Sequence, residues 1–320
     1  NTKFFHAKTN GRLRRNKITR LEQAEGIIEG DKNLIDYITT FYKNLFGSPD
    51  NSSVSLTINN PIRIPREYEN ILVEEFSLEE IKKVVFKMAH NKSPRPDGFT
   101  AEFYQHYWEL VKFDLKAMLD DFANRKIDIS RLNYGIITLV PKGTDANQIQ
   151  KFRPIYLLNV CFKIITKVLM NRLNLVATDV ISPVQTAFVK GRYILEWVLI
   201  LHEALNSIKK KKQSAMLLKI DFEKAYDKIK WSFLFQMLKL KGFPDKWIDW
   251  VMETVRGGKV CVKVNENLGK YFCSYKGPRQ GDFLSPLNFD LAPDALAIML
   301  NKSKENELVK GVLNEYTPNG

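Results

Sequence analysis

Asp221, Glu223, Tyr226 and Asp227 fall within one heptapeptide, "DFEKAYD", directly after the apolar run Ala215–Leu218 and Ile220. That run predicts a buried strand, and Asp221 then sits where the strand ends. Burying an ionised carboxylate is costly unless something pairs with it. A hard divalent cation is one such partner, because it takes oxygen donors and brings the neutralising charge. Capping of the helix that contains Trp231, or pairing with a nearby lysine, is another. The residue chemistry leaves both open. If the strand continued, alternation would put Asp221, Glu223 and Ala225 on one face.

Other polar groups stand at turns. "RQG" at Arg279–Gly281 combines a cation, an amide and a residue whose backbone can approach a nucleotide closely. Lys142 follows Pro141 in "LVPKG", and Arg153 lies in "KFRPIYLLN". Each of these could meet phosphate or merely solvent. Near the N-terminus, Arg12, Arg14, Arg15, Lys17 and Arg20 form a basic cluster. The whole chain carries a net charge of +13 over 320 residues. Such a surplus attracts polyanions, nucleic acid above all, although a lysine-rich solubilising surface would give the same number.

Several classes are excluded. The chain has no GxxxxGK[ST] phosphate loop, HExxH, GxSxG or CxxC, which removes the commonest NTPase, protease and esterase readings. The three cysteines, Cys161, Cys261 and Cys273, have no paired spacing. That favours a reducing, intracellular setting, nucleus or cytoplasm, over a disulfide framework or a zinc site. No apolar run approaches the ~18 residues of a membrane span, and the N-terminal stretch lacks a signal-peptide h-region. A start at Asn rather than Met reads as a piece of a longer chain.

The elements that must position these groups are mixed. Ile35, Ile38, Phe41, Tyr42 and Leu45 have helical spacing closed by Gly47. Residues 1–47 read as a basic helical extension, and 48–75, rich in Ser, Asn and Pro at its start, as a linker. A compact unit over 76–320 opens on a capping box, Ser77 to Glu80, with Ile81, Val84, Val85 and Met88 behind it. Pro96-Asp97-Gly98 predicts a tight reversal before an aromatic helix. A β-rich run ends at Pro141. Helices follow over 158–175, 193–208 and 231–240, then a hairpin-like pair, "GKVCVKVN" and "GKYFCSYK". Without regular βαβ alternation the fold class is α+β.

"SPRPDGF", "LVPKG", "FRPIYLLN", "KIDFEKAYDKIKW" and "GPRQGDFLSPLNFDL" in this order resemble the reverse-transcriptase domain of LINE-type (non-long-terminal-repeat) retrotransposons, especially plant-type elements. "NTKFFHAKTNGRLRRNKITRL" is similar to the segment joining endonuclease to polymerase in such elements. The resemblance implies a right-hand polymerase: helical fingers and a partial palm, an antiparallel sheet backed by helices, with the thumb absent. It implies nucleotidyl transfer to a primer 3′-OH with two Mg²⁺ (or Mn²⁺) ions. Partners would be an RNA template, a DNA primer and deoxynucleoside triphosphates, with no membrane.

By the same resemblance, Asp221 is the first catalytic aspartate and metal ligand, and Phe222 lends its carbonyl to the metal. Tyr226 is the steric gate against a ribose 2′-OH. Lys142 and Arg153 contact the triphosphate, and Arg279, Gln280 and Gly281 border the nucleotide. Arg12, Arg14, Arg15, Lys17 and Arg20 would contact nucleic acid. The chain departs from the family pattern at Tyr156, Trp197 and Phe283, at Arg95, whose side chain would strain the turn if its φ is positive, and at Pro293, which would kink or end a helical run. The family's second acidic motif, Tyr-x-Asp-Asp, is missing, since Thr317 and Pro318 follow Tyr316. These departures predict a truncated copy and give an alternative reading: a catalytically dead remnant that binds nucleic acid through its basic surface.

Overall fold

The computed structural model describes residues 2–49, 56, 61–90, 92, 95–222 and 224–309, with the backbone alone at 12–15 and 225. It mixes helix and sheet. The sheet is built on β3 (Tyr134–Pro141), whose β-branched Ile136, Ile137, Thr138 and Val140 suit a pleated surface. β3 pairs antiparallel with β4 (Phe152–Leu158) and parallel with β5 (Lys259–Val264). The short strands β6 (Asn267–Leu268) and β7 (Phe272–Cys273) both pair antiparallel with β5. The expected antiparallel sheet is therefore mixed. β3 and β5 are joined through β4 and then a long chain of helices, the crossover that parallel pairing requires.

α2 (Asp31–Leu45) packs on β5 and β6, while α10 (Trp231–Leu240) packs on α11 (Asp245–Val255) and α12 (Ser285–Glu305), and α12 on α7 (Val160–Val180). The others are α1 (Thr2–Asn16), α3 (Glu67–Val73), α4 (Leu78–Phe86), α5 (Ala101–His106), α6 (Trp108–Ala123), α8 (Ile194–Lys210) and the single turn α9 (Ala225–Lys228). A small hairpin, β1 (Arg20–Gln23) with β2 (Gly26–Glu29), lies between α1 and α2. Among the described residues no helix is long and apolar enough to cross a membrane.

The N-terminal region is packed into the body of the protein. Leu34, Ile38, Tyr42 and Phe46 are buried, and the Phe46 ring lies 6.2 Å from Tyr156 and 6.4 Å from Phe272. Asn265 holds Ile18 through both its amide and its carbonyl oxygen. The expected linker includes α3, and the Ile64 N–H donates to the Lys241 carbonyl at 2.8 Å. The Asn-rich stretch 50–55 and 57–60 lies outside the described residues, as does Tyr316–Pro318.

Three expectations are corrected. Residues 213–222 form no strand, and Met216 is 92% exposed. Apolarity alone does not make a strand: N–H and C=O groups need a partner ladder, and β3–β7 pair among themselves. Pro293 neither ends nor interrupts α12, which runs on to Glu305. Arg95 does not strain its turn. Gly98 carries the positive φ of 81°, and its N–H closes the turn on the Arg95 carbonyl at 2.9 Å.

Candidate functional site

The β3–β4 hairpin brings Lys142 and Arg153 to one end of the sheet. Val140 faces Arg153 and Pro141 faces Phe152 in register. The Lys142 N–H then donates to the Lys151 carbonyl at 2.8 Å, and its ammonium donates to the Gln150 carbonyl at 2.8 Å. Arg153 points to the solvent side because β4 alternates, with Phe152 and Pro154 buried beside it.

The "RQG" turn is fastened to the same hairpin. The Tyr156 N–H donates to the Gln280 carbonyl at 3.0 Å. The Arg279 N–H donates to Ser285 Oγ at 3.0 Å, and that hydroxyl donates to Asp282 at 2.8 Å. Gly281 is required here, since its φ is 121° and a Cβ would lie 2.8 Å from the Tyr156 carbonyl oxygen. Gly281→Ala is expected to lower stability by about 2 kcal/mol through backbone strain alone. Urea unfolding measures this, and a change below about 0.5 kcal/mol would show that the turn relaxes freely.

α9 closes the arrangement from the other side. Gly277 packs on it so tightly that a Cβ would lie 2.9 Å from the backbone of both Tyr226 and Asp227. Asp227 is thereby buried. Lys142, Arg153, Lys224, Asp227 and Gln280 line one cavity of about 230 Å³, with Phe41 and Tyr42 of α2 as its apolar wall. Lys224 sits 4.2 Å from the Phe41 ring centroid.

Burial pushes the Asp227 carboxyl up to about 6, opposed by the Lys224 charge and by a hydrogen bond from the Gln280 amide. Burial, with Asp227 adding to it, also raises the hydroxyls of Tyr42 and Tyr156. The cavity thus holds three cations and one carboxyl that resists ionisation. That balance suits an anion. Its volume falls below the ~300 Å³ at which whole-ligand pockets begin, so it fits a phosphate chain better than an entire nucleotide.

The other residues with expected roles are placed elsewhere. Asp221 and Phe222 are exposed on the extended stretch and do not line this cavity. Among the described residues, no three His, Cys, Asp or Glu side chains gather to hold a metal ion. One carboxylate from Asp221 does not by itself make a divalent-ion site. The Tyr226 ring stacks on Phe289 at 4.3 Å.

Arg279 turns away from the cavity. It is buried, hydrogen-bonded to the Asn133 side chain and 5.7 Å from the Phe162 ring centroid. Gly258 makes room for its guanidinium, and burial lowers its pKa to about 10. Lys17 and Arg20 join Lys142 along a second, shallow cavity of about 620 Å³, where Arg20 pairs with Glu22 at 3.0 Å. The side chains of Arg12, Arg14 and Arg15 lie outside the described residues.

Sequence reasoning assigned no role to Asp227, Lys224 or Tyr42. The signal for Asp227 was present in the heptapeptide itself. Tyr42 carried none, because only the fold brings α2 to the hairpin.

Residues 140–310 match the family model described as reverse transcriptase (RNA-dependent DNA polymerase). The chain is 30% identical over 307 residues to the transposon TX1 uncharacterized 149 kDa protein of Xenopus laevis, covering 94% of this chain and 23% of that protein. It is 25% identical over 212 residues to the retrovirus-related Pol polyprotein from type-2 retrotransposable element R2DM of Drosophila melanogaster, covering 66% and 19%. The R2 polyprotein of Nasonia vitripennis is 25% identical over 236 residues, covering 73% and 22%. The chain therefore spans about a fifth of the length of the curated relatives it matches. Cations from two strand ends, a carboxyl and a glutamine from the "RQG" turn meet within the matched region, and the chain belongs to the reverse transcriptase family.

Proposed function

We propose that this chain is the nucleotide-binding part of an RNA-directed DNA polymerase of a LINE-type retrotransposon. The observation that carries the reading is the meeting of Lys142 and Arg153, from one hairpin, with Gln280, from a distant turn, in one cationic cavity. Lys142 and Arg153 draw in the triphosphate of a deoxynucleotide, and Gln280 and Gly281 border it. Tyr226, fixed by its stack on Phe289, serves as the gate against a ribose 2′-OH.

Residues 76–320 form fingers and part of a palm, with 1–47 as an extension and 48–75 as the connection. Template RNA and primer DNA are the macromolecular partners, and Lys17 and Arg20 add cationic surface for them next to Lys142. Mg²⁺ or Mn²⁺ would supply charge neutralisation at the primer 3′-OH, with Asp221 and the Phe222 carbonyl as this chain's contribution. The described residues do not complete that ion's site.

Calorimetric titration with a deoxynucleoside triphosphate tests the reading. Lys142→Ala with Arg153→Ala is expected to weaken binding about tenfold, since a charge-assisted contact is worth about 1.5–3 kcal/mol when buried and less at an open site. Failure of the unmodified protein to bind triphosphate would overturn the proposal.

A further inference from the structure

A third cleft, of about 470 Å³ and open to solvent, shares no lining residue with the cavity around Asp227. Lys230, Arg256 and Lys276 line it together with Trp231 and Tyr275, and none of its lining residues is acidic. The five come from three segments: the start of α10, the end of α11 and the stretch after β7. Lys230 and Lys276 are set opposite each other by a backbone β-bridge. The Trp231 indole N–H donates to the Gly277 carbonyl at 3.3 Å, and the Tyr275 N–H donates to the Phe46 carbonyl at 3.2 Å. The Trp231 ring is therefore held through its indole N–H and Tyr275 through its backbone, and both residues are half-buried.

The charge pattern is not that of an ordinary solvated face. Some cations elsewhere are paired with acids, as Lys83 with Glu79 and Lys116 with Asp120. Among the described residues neither Arg256 nor Lys276 has an ion-pair partner. Converging cations around a concavity repel one another and raise the local concentration of anions. The aromatic rings narrow the choice of anion. Cations that follow a phosphate backbone, with rings on which bases stack, are the combination that holds single-stranded nucleic acid without regard to sequence. The volume is enough for a nucleotide unit.

We propose that this cleft binds a single-stranded nucleic acid, with Arg256, Lys276 and Lys230 on successive phosphates and Tyr275 and Trp231 against its bases. The proposal rests on the nucleic-acid partners named above but assigns them a place apart from the nucleotide cavity.

The test is fluorescence anisotropy of a labelled 12-nucleotide RNA over a range of KCl concentrations. Each phosphate contact on a single strand contributes about 0.7 to the slope of log K against log salt. Arg256→Ala with Lys276→Ala is expected to reduce the slope by about 1.4, and Tyr275→Leu to weaken binding about tenfold. Lys209→Ala with Lys210→Ala, on α8, is expected to leave the slope unchanged, and deoxynucleoside triphosphate binding should be the same in all variants.

An unchanged slope in Arg256→Ala/Lys276→Ala would overturn the cleft while leaving the polymerase reading in place. Absence of RNA binding by the unmodified protein would defeat the nucleic-acid reading itself. A loss of triphosphate binding alone would make the cleft a free-nucleotide site and overturn the proposal. Should the variants fail to fold, photocrosslinking of a 5-iodouracil oligonucleotide to the unmodified protein decides. Adducts at Tyr275 or Trp231 support the cleft, and adducts confined to other segments exclude it.

Discussion

Lys241→Met is expected to destabilise the protein by about 3–5 kcal/mol, the cost of leaving one member of a buried ion pair without the other. Lys241 and Asp294 are both fully buried and paired. The Lys241 ammonium also donates to the Val180 carbonyl at 2.5 Å, and Asp294 accepts from the Ser182 N–H at 2.9 Å. Through these contacts one pair joins the end of α10, the end of α7 and the middle of α12. Without the lysine, Asp294 is left buried with its charge partner removed, which is the origin of the expected loss.

Lys241→Met combined with Asp294→Leu is expected to recover most of the loss, because a well-packed apolar pair can replace a buried ion pair at little cost. Thermal unfolding should place the single variant about 10 °C below the parent at neutral pH. A single variant within about 1 kcal/mol of the parent, or a double variant as weak as the single, would mean that water or another group already compensates Asp294.

This pair shows where sequence reading reached its limit. Local signals were legible. Ser77 caps α4 as the box predicts, its Oγ accepting from the Glu80 N–H at 3.1 Å, and α10 covers the predicted 231–240. The Glu80 side chain does something the box does not foretell: it pairs at 2.8 Å with Arg172, whose guanidinium also donates to the carbonyls of Leu72, Glu74 and Glu75. Nothing in the spacing of Lys241 and Asp294 marks them as partners, since the contact depends on how two helices dock. The same holds within the site. Lys142, Arg153 and Gln280 were legible as polar residues at turns, but Arg279 was not legible as buried, because its position depends on Asn133 and on the space over Gly258. The apolar run before Asp221 misled for the converse reason. Strand propensity is local, whereas a strand needs a neighbour.

Asp227→Asn is expected to stabilise the protein at neutral pH and to have no such effect in acid. The parent carboxyl titrates near 6 in the folded state and at 3.8 when unperturbed, chiefly because it is buried. A raised carboxyl pKa means that the fold favours the protonated form. Its contribution is fully present below about 3.8, declines as pH rises, and is gone above about 6. The size of that shift corresponds to about 3 kcal/mol of penalty at pH 7.5. Asparagine never ionises, keeps nearly the same shape, and can still accept from the Gln280 amide, so it escapes the penalty. Asp290, buried on α12 and pushed up to about 7, imposes a similar decline over a slightly wider window in both proteins. The difference between parent and variant therefore isolates Asp227. Urea unfolding at pH 4 and pH 7.5 measures it, with parity expected at the lower pH and a gain of about 2–3 kcal/mol at the higher. The same substitution removes the one negative charge from a cavity that also presents Lys142, Arg153 and Lys224, so triphosphate should bind more tightly than to the parent at pH 7.5 and equally at pH 5. If Asp227→Asn instead loses stability at both pH values, the carboxylate is an anchor for Lys224 and Gln280 rather than a strained charge, and the cavity's cationic character depends on it.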